Sequence, residues 1–130
     1  MSHLLGIGGI FFRSPDPKAT AAWYAEHLGL PVNPWGGAAL QWRTDASPEA
    51  STIWSPFADD TQYFGPSGQT FMVNFRVRDL NGLLAALRDK GVDVDSRLEE
   101  SEFGRFGWCT DCDGRRVELW EPPEYAAPAP

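Results

Sequence analysis

Phe12-Arg13-Ser14-Pro15-Asp16 recurs 63 residues later as Phe75-Arg76-Val77-Arg78-Asp79, and each copy follows an extended apolar run and precedes a helical pattern. A repeat at a fixed offset means repeated architecture. In the first copy Asp16 suits a helix N-cap and Pro17 the first helical position. Ala21, Tyr24, Ala25 and Leu28 then fall on one face, and Gly29 can end the helix. In the second copy Asp79 caps, Leu80, Leu83, Leu84 and Leu87 follow the i, i+3, i+4, i+7 spacing, and Gly91 stops it. The ends echo too, Trp54-Ser55-Pro56 against Trp120-Glu121-Pro122.

After each helix come three short extended stretches, at 32–35, 38–43 and 51–57 and again at 92–98, 106–110 and 115–120. Each half therefore reads βαβββ. The predicted fold class is α+β, two βαβββ modules at 7–57 and 71–120 within one domain over 1–122. Residues 58–70, rich in Asp, Gly and Pro, read as a linker, and the proline-alanine run at 123–130 as a mobile tail.

Composition narrows the function classes. With 130 residues, 42% of them apolar, the chain can bury a core as one domain. The net charge of -7 argues against a nucleic-acid partner, since phosphate backbones demand a basic stripe. No apolar run approaches the roughly 20 residues of a membrane helix, and the start MSHLLGIGG lacks a signal peptide's basic flank, so no membrane partner and a cytoplasmic location are expected. Cys109-Thr-Asp-Cys112 has the spacing of a redox pair or half a zinc site, but it runs into the turn Asp113-Gly114 and reads as two reduced thiols. Gly6, Gly8 and Gly9 open no helix and form no phosphate loop.

Strand alternation assigns faces. Phe71, Val73, Phe75 and Val77 point to the helix, leaving Met72, Asn74 and Arg76 opposite; Ile10 and Phe12 likewise oppose Gly9, Phe11 and Arg13. In the last strand Val117 and Leu119 pack, while Arg116, Glu118 and Trp120 share the second face. If the two half-sheets curl so that these second faces oppose each other, they line a cup of mixed aromatic and charged character.

The segments Arg13-Ser14-Pro15-Asp16, Trp23-Tyr24-Ala25-Glu26-His27-Leu28-Gly29-Leu30 and Asp113-Gly114-Arg115-Arg116-Val117-Glu118-Leu119-Trp120-Glu121-Pro122 give the chain a resemblance, over residues 7–122, to the vicinal oxygen chelate superfamily. That superfamily holds glyoxalase I, bleomycin resistance proteins, fosfomycin-modifying enzymes and extradiol dioxygenases. The resemblance implies paired βαβββ modules forming a U-shaped cupped mixed sheet, and a homodimer as partner. It also implies metal ligands on the first and last strands of each module, which carry over to Gly9, Thr52, Met72 and Glu118. Only Glu118 is a strong donor, so no metal and no other cofactor is expected, with a divalent metal held by displaced ligands as the alternative. His3 and His27 read as surface or cap residues.

Three functions compete. The first is a binding protein for a small, aromatic or anionic molecule, with ligand contacts from Phe11, Arg13, Thr52, Trp54, Met72, Asn74, Arg76, Arg105, Phe106 and Trp120. Arg13 and Arg76 are repeat-related and would supply carboxylate-binding forks on facing walls. The second is a lyase, isomerase or dioxygenase, metal-dependent or using Glu118 as a catalytic general base. Against that role, Arg13, Arg76 or Arg116 can pair with Glu118 and keep it inert. The third is a ligand-free dimeric module.

Overall fold

A computed structural model of the chain describes His3 and residues 6–125. Its elements are α1 (Pro17–Leu28), a helical turn α2 (Trp42–Asp45), β1 (Asn74–Arg76), α3 (Leu80–Asp89), β2 (Glu99–Ser101), β3 (Gly104–Thr110), β4 (Arg116–Glu121) and a closing 3-10 turn at Pro123–Tyr125. The four strands form one mixed sheet in the order β1-β4-β3-β2, with β1 parallel to β4 and the other pairs antiparallel.

Both helices begin and end where the residues dictate. The Asp16 carboxylate accepts from the Ala19 amide at 3.2 Å, and Gly29 closes α1 in the left-handed region at φ 69°. Asp79 caps α3 through the Gly82 amide at 3.2 Å. The buried Glu121 at the end of β4 adds a second acceptor, taking the Leu80 amide at 3.0 Å. A carboxylate there meets the positive end of the helix and ties it to the sheet. Leu80, Leu84 and Leu87 of α3 are buried against Cys109, Val117 and Leu119, and Tyr24 of α1 joins the same cluster. On α1 the buried face runs through Thr20 and Tyr24, whereas Ala25, expected inward, is exposed. A bulky ring turned inward at Tyr24 leaves little need for the methyl group beside it.

Aspartates build the connection between α1 and the β3–β4 hairpin. Buried Asp111 accepts from the Tyr24 hydroxyl at 2.5 Å, from Arg115 Nη1 at 3.1 Å, and from the amides of Asp113 and Arg115 at 2.9 Å each. Asp113 accepts from Ser14 at 3.0 Å, Thr20 at 2.8 Å and Arg115 at 3.1 Å. Burial and the Asp111 bond push the Tyr24 phenol well above the usual tyrosine range. Burial also pushes the Cys109 thiol up to about 12, so it stays protonated and unreactive.

Between 92 and 98 the expected strand is interrupted. Val94 bridges Cys109, and Asp95 donates its amide to the Trp108 carbonyl, but the Asp95 carboxylate then takes the Arg97 amide at 2.9 Å in a local turn. Regular pairing resumes only at Glu99.

In the first half the stretches 7–12, 38–43 and 51–57 have no ladder partner among the described residues. An isolated bridge joins Val32 to Ala38, and the chain turns helical at Trp42. A strand persists only when its edge is paired and its apolar face covered. Ile10 is 54% exposed, Ile53 67% and Trp54 79%, so neither condition is met within one chain. At the other end Pro123–Tyr125, expected to be mobile, is a turn whose Tyr125 hydroxyl bonds Asp45, while residues 126–130 lie outside the described residues.

Gly107 faces α3 so closely that a Cβ there would stand 3.0 Å from Leu84 Cδ1. The Gly107→Val variant is therefore expected to lose about 1–3 kcal/mol of stability by overpacking the helix–sheet contact. An unchanged midpoint in urea denaturation would contradict this packing.

Candidate functional site

The register of the sheet sets two rows of side chains on the face turned away from the helices. Asn74, Glu118 and Trp108 are aligned across β1, β4 and β3, and Arg76, Trp120 and Phe106 form the next row. Met72, half-buried, leads into β1 with the same alternation. The second-half candidates predicted for the cup thus come together, with one exception. Arg105 points to the helix side, where it pairs with Glu100 at 3.0 Å and Asn81 at 2.7 Å, because it is one residue out of phase with Phe106.

Glu118 is 7% exposed, and both its oxygens are engaged. Oε1 accepts from Asn74 Nδ2 at 2.7 Å, while Oε2 accepts from Trp108 Nε1 at 2.9 Å and from the Tyr63 hydroxyl at 2.5 Å. None of these donors is charged, and Arg116 turns instead to Asp95 at 2.9 Å. The Tyr63 ring stands edge-on to Trp108 at 6.0 Å and stacks on Phe57 at 5.4 Å. Burial, then the bond to Glu118, pushes its phenol well above the usual tyrosine range. Trp108 is fully buried, with the guanidinium carbons of Arg116 and Arg97 5.0 and 5.5 Å from its ring centroid.

In the second row Trp120 and Phe106 stack nearly parallel, 5.8 Å between centroids, and the Trp120 indole donates to the Phe103 carbonyl at 2.6 Å. Arg76 lies 5.1 Å from the Trp120 centroid and is held by carboxylates. Its Nε donates to Asp45 at 2.7 Å and its Nη2 to Glu124 at 2.9 Å. The fork expected to meet a ligand anion is therefore occupied by two acids of the protein itself.

The first-half candidates lie elsewhere. Phe11 is 93% exposed, Arg13, Thr52 and Trp54 are exposed as well, and no hydrogen bond or ring contact among the described residues joins them to the Glu118 face. Behind that face a cavity of about 20 Å³, bounded by Tyr24, Phe71, Val73 and Val117, has room for about one water. Sequence reasoning missed Tyr63, hidden in a segment read as linker, and Asp45, Glu124 and Tyr125. The available signal for the first was an adjacent aromatic pair, Tyr63-Phe64, in an otherwise polar stretch.

Metal donors are sparse around Glu118. No group of three or more His, Cys, Asp and Glu residues able to hold an ion forms among the described residues. His27 sits in the last turn of α1, its ring against Trp23 at 4.8 Å, and His3 is exposed. No helix among the described residues is long and apolar enough to cross a membrane.

Comparison with known proteins places this geometry in a family. The model of the glyoxalase-like domain matches residues 9–120. Among solved structures, the oxidase ChaP-H2 shares 20% identity over 85% of this chain and 87% of its own, with a TM-score of 0.53. TnmS3, an antibiotic binding protein from Streptomyces sp. CB03234, shares 24% over 84% of this chain and 88% of its own, with a TM-score of 0.47. A protein of unknown function from Agrobacterium tumefaciens str. C58 shares 21% over 88% and 96%, also at 0.47. No curated protein matches the chain.

The Glu118→Gln variant turns an acceptor towards three donors into an amide with only one oxygen, and is expected to cost about 1.5–3 kcal/mol in urea denaturation. Acid gives a second test. Thr20, with Ser14 and Arg115, holds the Asp113 carboxyl below its ordinary 3.8, and the Arg97 amide, with Arg116, does the same for Asp95. Depressed carboxyls contribute stability that is complete above 3.8 and is lost as pH falls through their lower folded values. Asp113→Asn should flatten that acid limb; an unaltered limb would contradict the network.

Proposed function

The chain belongs to the glyoxalase-like domain family, within the vicinal oxygen chelate superfamily, and from that premise we propose that it binds a small aromatic molecule over the Glu118–Trp120 face without a divalent metal. The observation that carries this reading is the state of Glu118. At the position where metal-dependent relatives would use a ligand, both carboxylate oxygens are taken up by Asn74, Trp108 and Tyr63. The other carried-over positions, Gly9, Thr52 and Met72, offer no comparable donor. Three of the roughly four acceptor positions of the Glu118 carboxylate are filled by donors of the chain, which weighs against it as a general base, since a base needs a free lone pair aimed at the substrate. Of the two ligand chemistries expected, the aromatic one has support from the stacked Trp120 and Phe106. The anionic one loses one of its two arginine anchors, with Arg76 committed to Asp45 and Glu124.

A second copy of the chain is part of this reading. The first-half segments that find no ladder partner leave large apolar side chains exposed, among them Phe11 at 93%, Trp54 at 79% and Phe57 at 48%. A partner covering these segments would bring their candidates to a shared cup. A reducing, cytoplasmic setting fits two free thiols, one of them exposed.

In a thermal-shift and tryptophan-fluorescence screen of neutral and anionic aromatics, the neutral compounds should raise the melting temperature and Trp120→Ala should weaken the best of them by about 1–3 kcal/mol. Preference for anionic compounds, or affinity indifferent to Trp120, would contradict the reading. Dialysis against EDTA should leave the melting temperature unchanged; a drop of several degrees reversed by a divalent ion would overturn the metal-free site. Light scattering should give twice the chain mass, and a monodisperse monomer would remove the second copy.

A further inference from the structure

Of the three donors on Glu118, two are fixed by the sheet. Asn74 and Trp108 are its register neighbours on β1 and β3, so the paired backbone holds them beside it. Tyr63 differs. It comes from a stretch with no ladder pairing, held by the turn bonds of Thr61 to Ala58 and Gly65 to Gln62 and by its own amide on the Thr61 hydroxyl. Such a segment can open at far smaller cost than the sheet. Its ring is nevertheless seated as a ligand ring would be, edge-on to Trp108, stacked on Phe57, and with its hydroxyl on a buried carboxylate.

The charges around the seat select the chemistry of whatever replaces it. An anion would face Glu118 directly, and the guanidiniums nearby already have acid partners: Arg116 with Asp95, Arg97 with Glu99 and Arg76 with Asp45 and Glu124. A cation would meet Arg97 and Arg116 standing over Trp108. What fits is a neutral ring that donates one hydrogen bond.

We propose that the Tyr63 side chain is a resident occupant of the ligand position above Glu118, and that the ligand is a neutral phenol that displaces it and takes over its bond to Oε2. This deepens, and rests on, the reading of the face as an aromatic-binding cup. The bound state exchanges one phenol for another, so affinity is reduced by the fraction of time Tyr63 holds the seat.

The test is p-cresol, the free equivalent of the tyrosine side chain, titrated by calorimetry into the full-length wild type and Tyr63→Ala, beside 4-methylanisole, which cannot donate, and 4-methylbenzylamine, which is cationic. Removing the resident should tighten p-cresol about tenfold or more, and within Tyr63→Ala 4-methylanisole should bind about tenfold or more weaker than p-cresol, the loss expected for a hydrogen bond to a charged acceptor. Equal p-cresol affinity in the two proteins, equal affinity for cresol and anisole, or a preference for the amine overturns the resident phenol while leaving the aromatic cup standing. So does binding to the wild type alone. If neither folded protein binds any of the compounds, the cup itself falls. Should Tyr63→Ala fail to fold, Tyr63→Phe keeps the ring packing and leaves Oε2 one donor short; it should bind p-cresol more tightly than the wild type, and equal affinity overturns the proposal.

Discussion

A carboxylate buried on a sheet must be satisfied where it stands, and the Glu118 cluster shows how much else that requirement fixes. Asn74 and Trp108 can serve it only if β1, β4 and β3 keep their register, because a slip of one residue in any of these strands would turn that strand's side chain to the helix side. The third donor, Tyr63, draws the segment between the two halves across the sheet and packs Phe57 behind it. Leaving any of these donors out would leave charge buried with too few partners, a cost larger than the gain from most surface contacts. The same row then sets the character of the face, which is aromatic, with Arg76 and Arg116 beside it already paired to acids of the chain.

A second constraint is the mismatch between the two halves of the chain. The second half assembles the four-stranded sheet and packs α3 against one side of it. The first contributes α1, anchored through Tyr24, Ser14 and Thr20 to the Asp111–Asp113 turn, while its extended segments keep their apolar residues in solvent. Apolar surface on this scale is the reason a second copy of the chain is proposed to cover it. The internal repeat argues that these segments carry the same strand pattern as their counterparts, so what they lack is a partner edge, not a propensity.

Local signals were the legible ones. Asp16 and Asp79 cap, Gly29 and Gly91 terminate, the leucine face of α3 packs, and the alternation through Arg116, Glu118 and Trp120 sorts into faces as the period of two requires. The partners of the charged groups were not legible. That Arg76 meets Asp45 and Glu124, or that Arg116 meets Asp95, depends on where a turn and a chain end come to rest, and no periodicity encodes it. Tyr63 escaped for the same reason, since a loop residue's destination is set by the three-dimensional closure of the chain. Arg105 and Phe106, both expected in the cup, are adjacent on one strand, and strand alternation sends them to opposite sides.

The account turns on the bond between the Tyr63 phenol and the Glu118 carboxylate, and the phenol's own titration reads it most directly. With tyrosines labelled at the ring carbon bearing the hydroxyl, an NMR titration assigned by loss of the signal in Tyr63→Phe should show Tyr63 still protonated well above 10.0, the ordinary tyrosine value. In Glu118→Gln the same signal should move back towards that value. A Tyr63 that titrates at 10.0 in the wild type, or is indifferent to the loss of the carboxylate, would contradict the closed site described above.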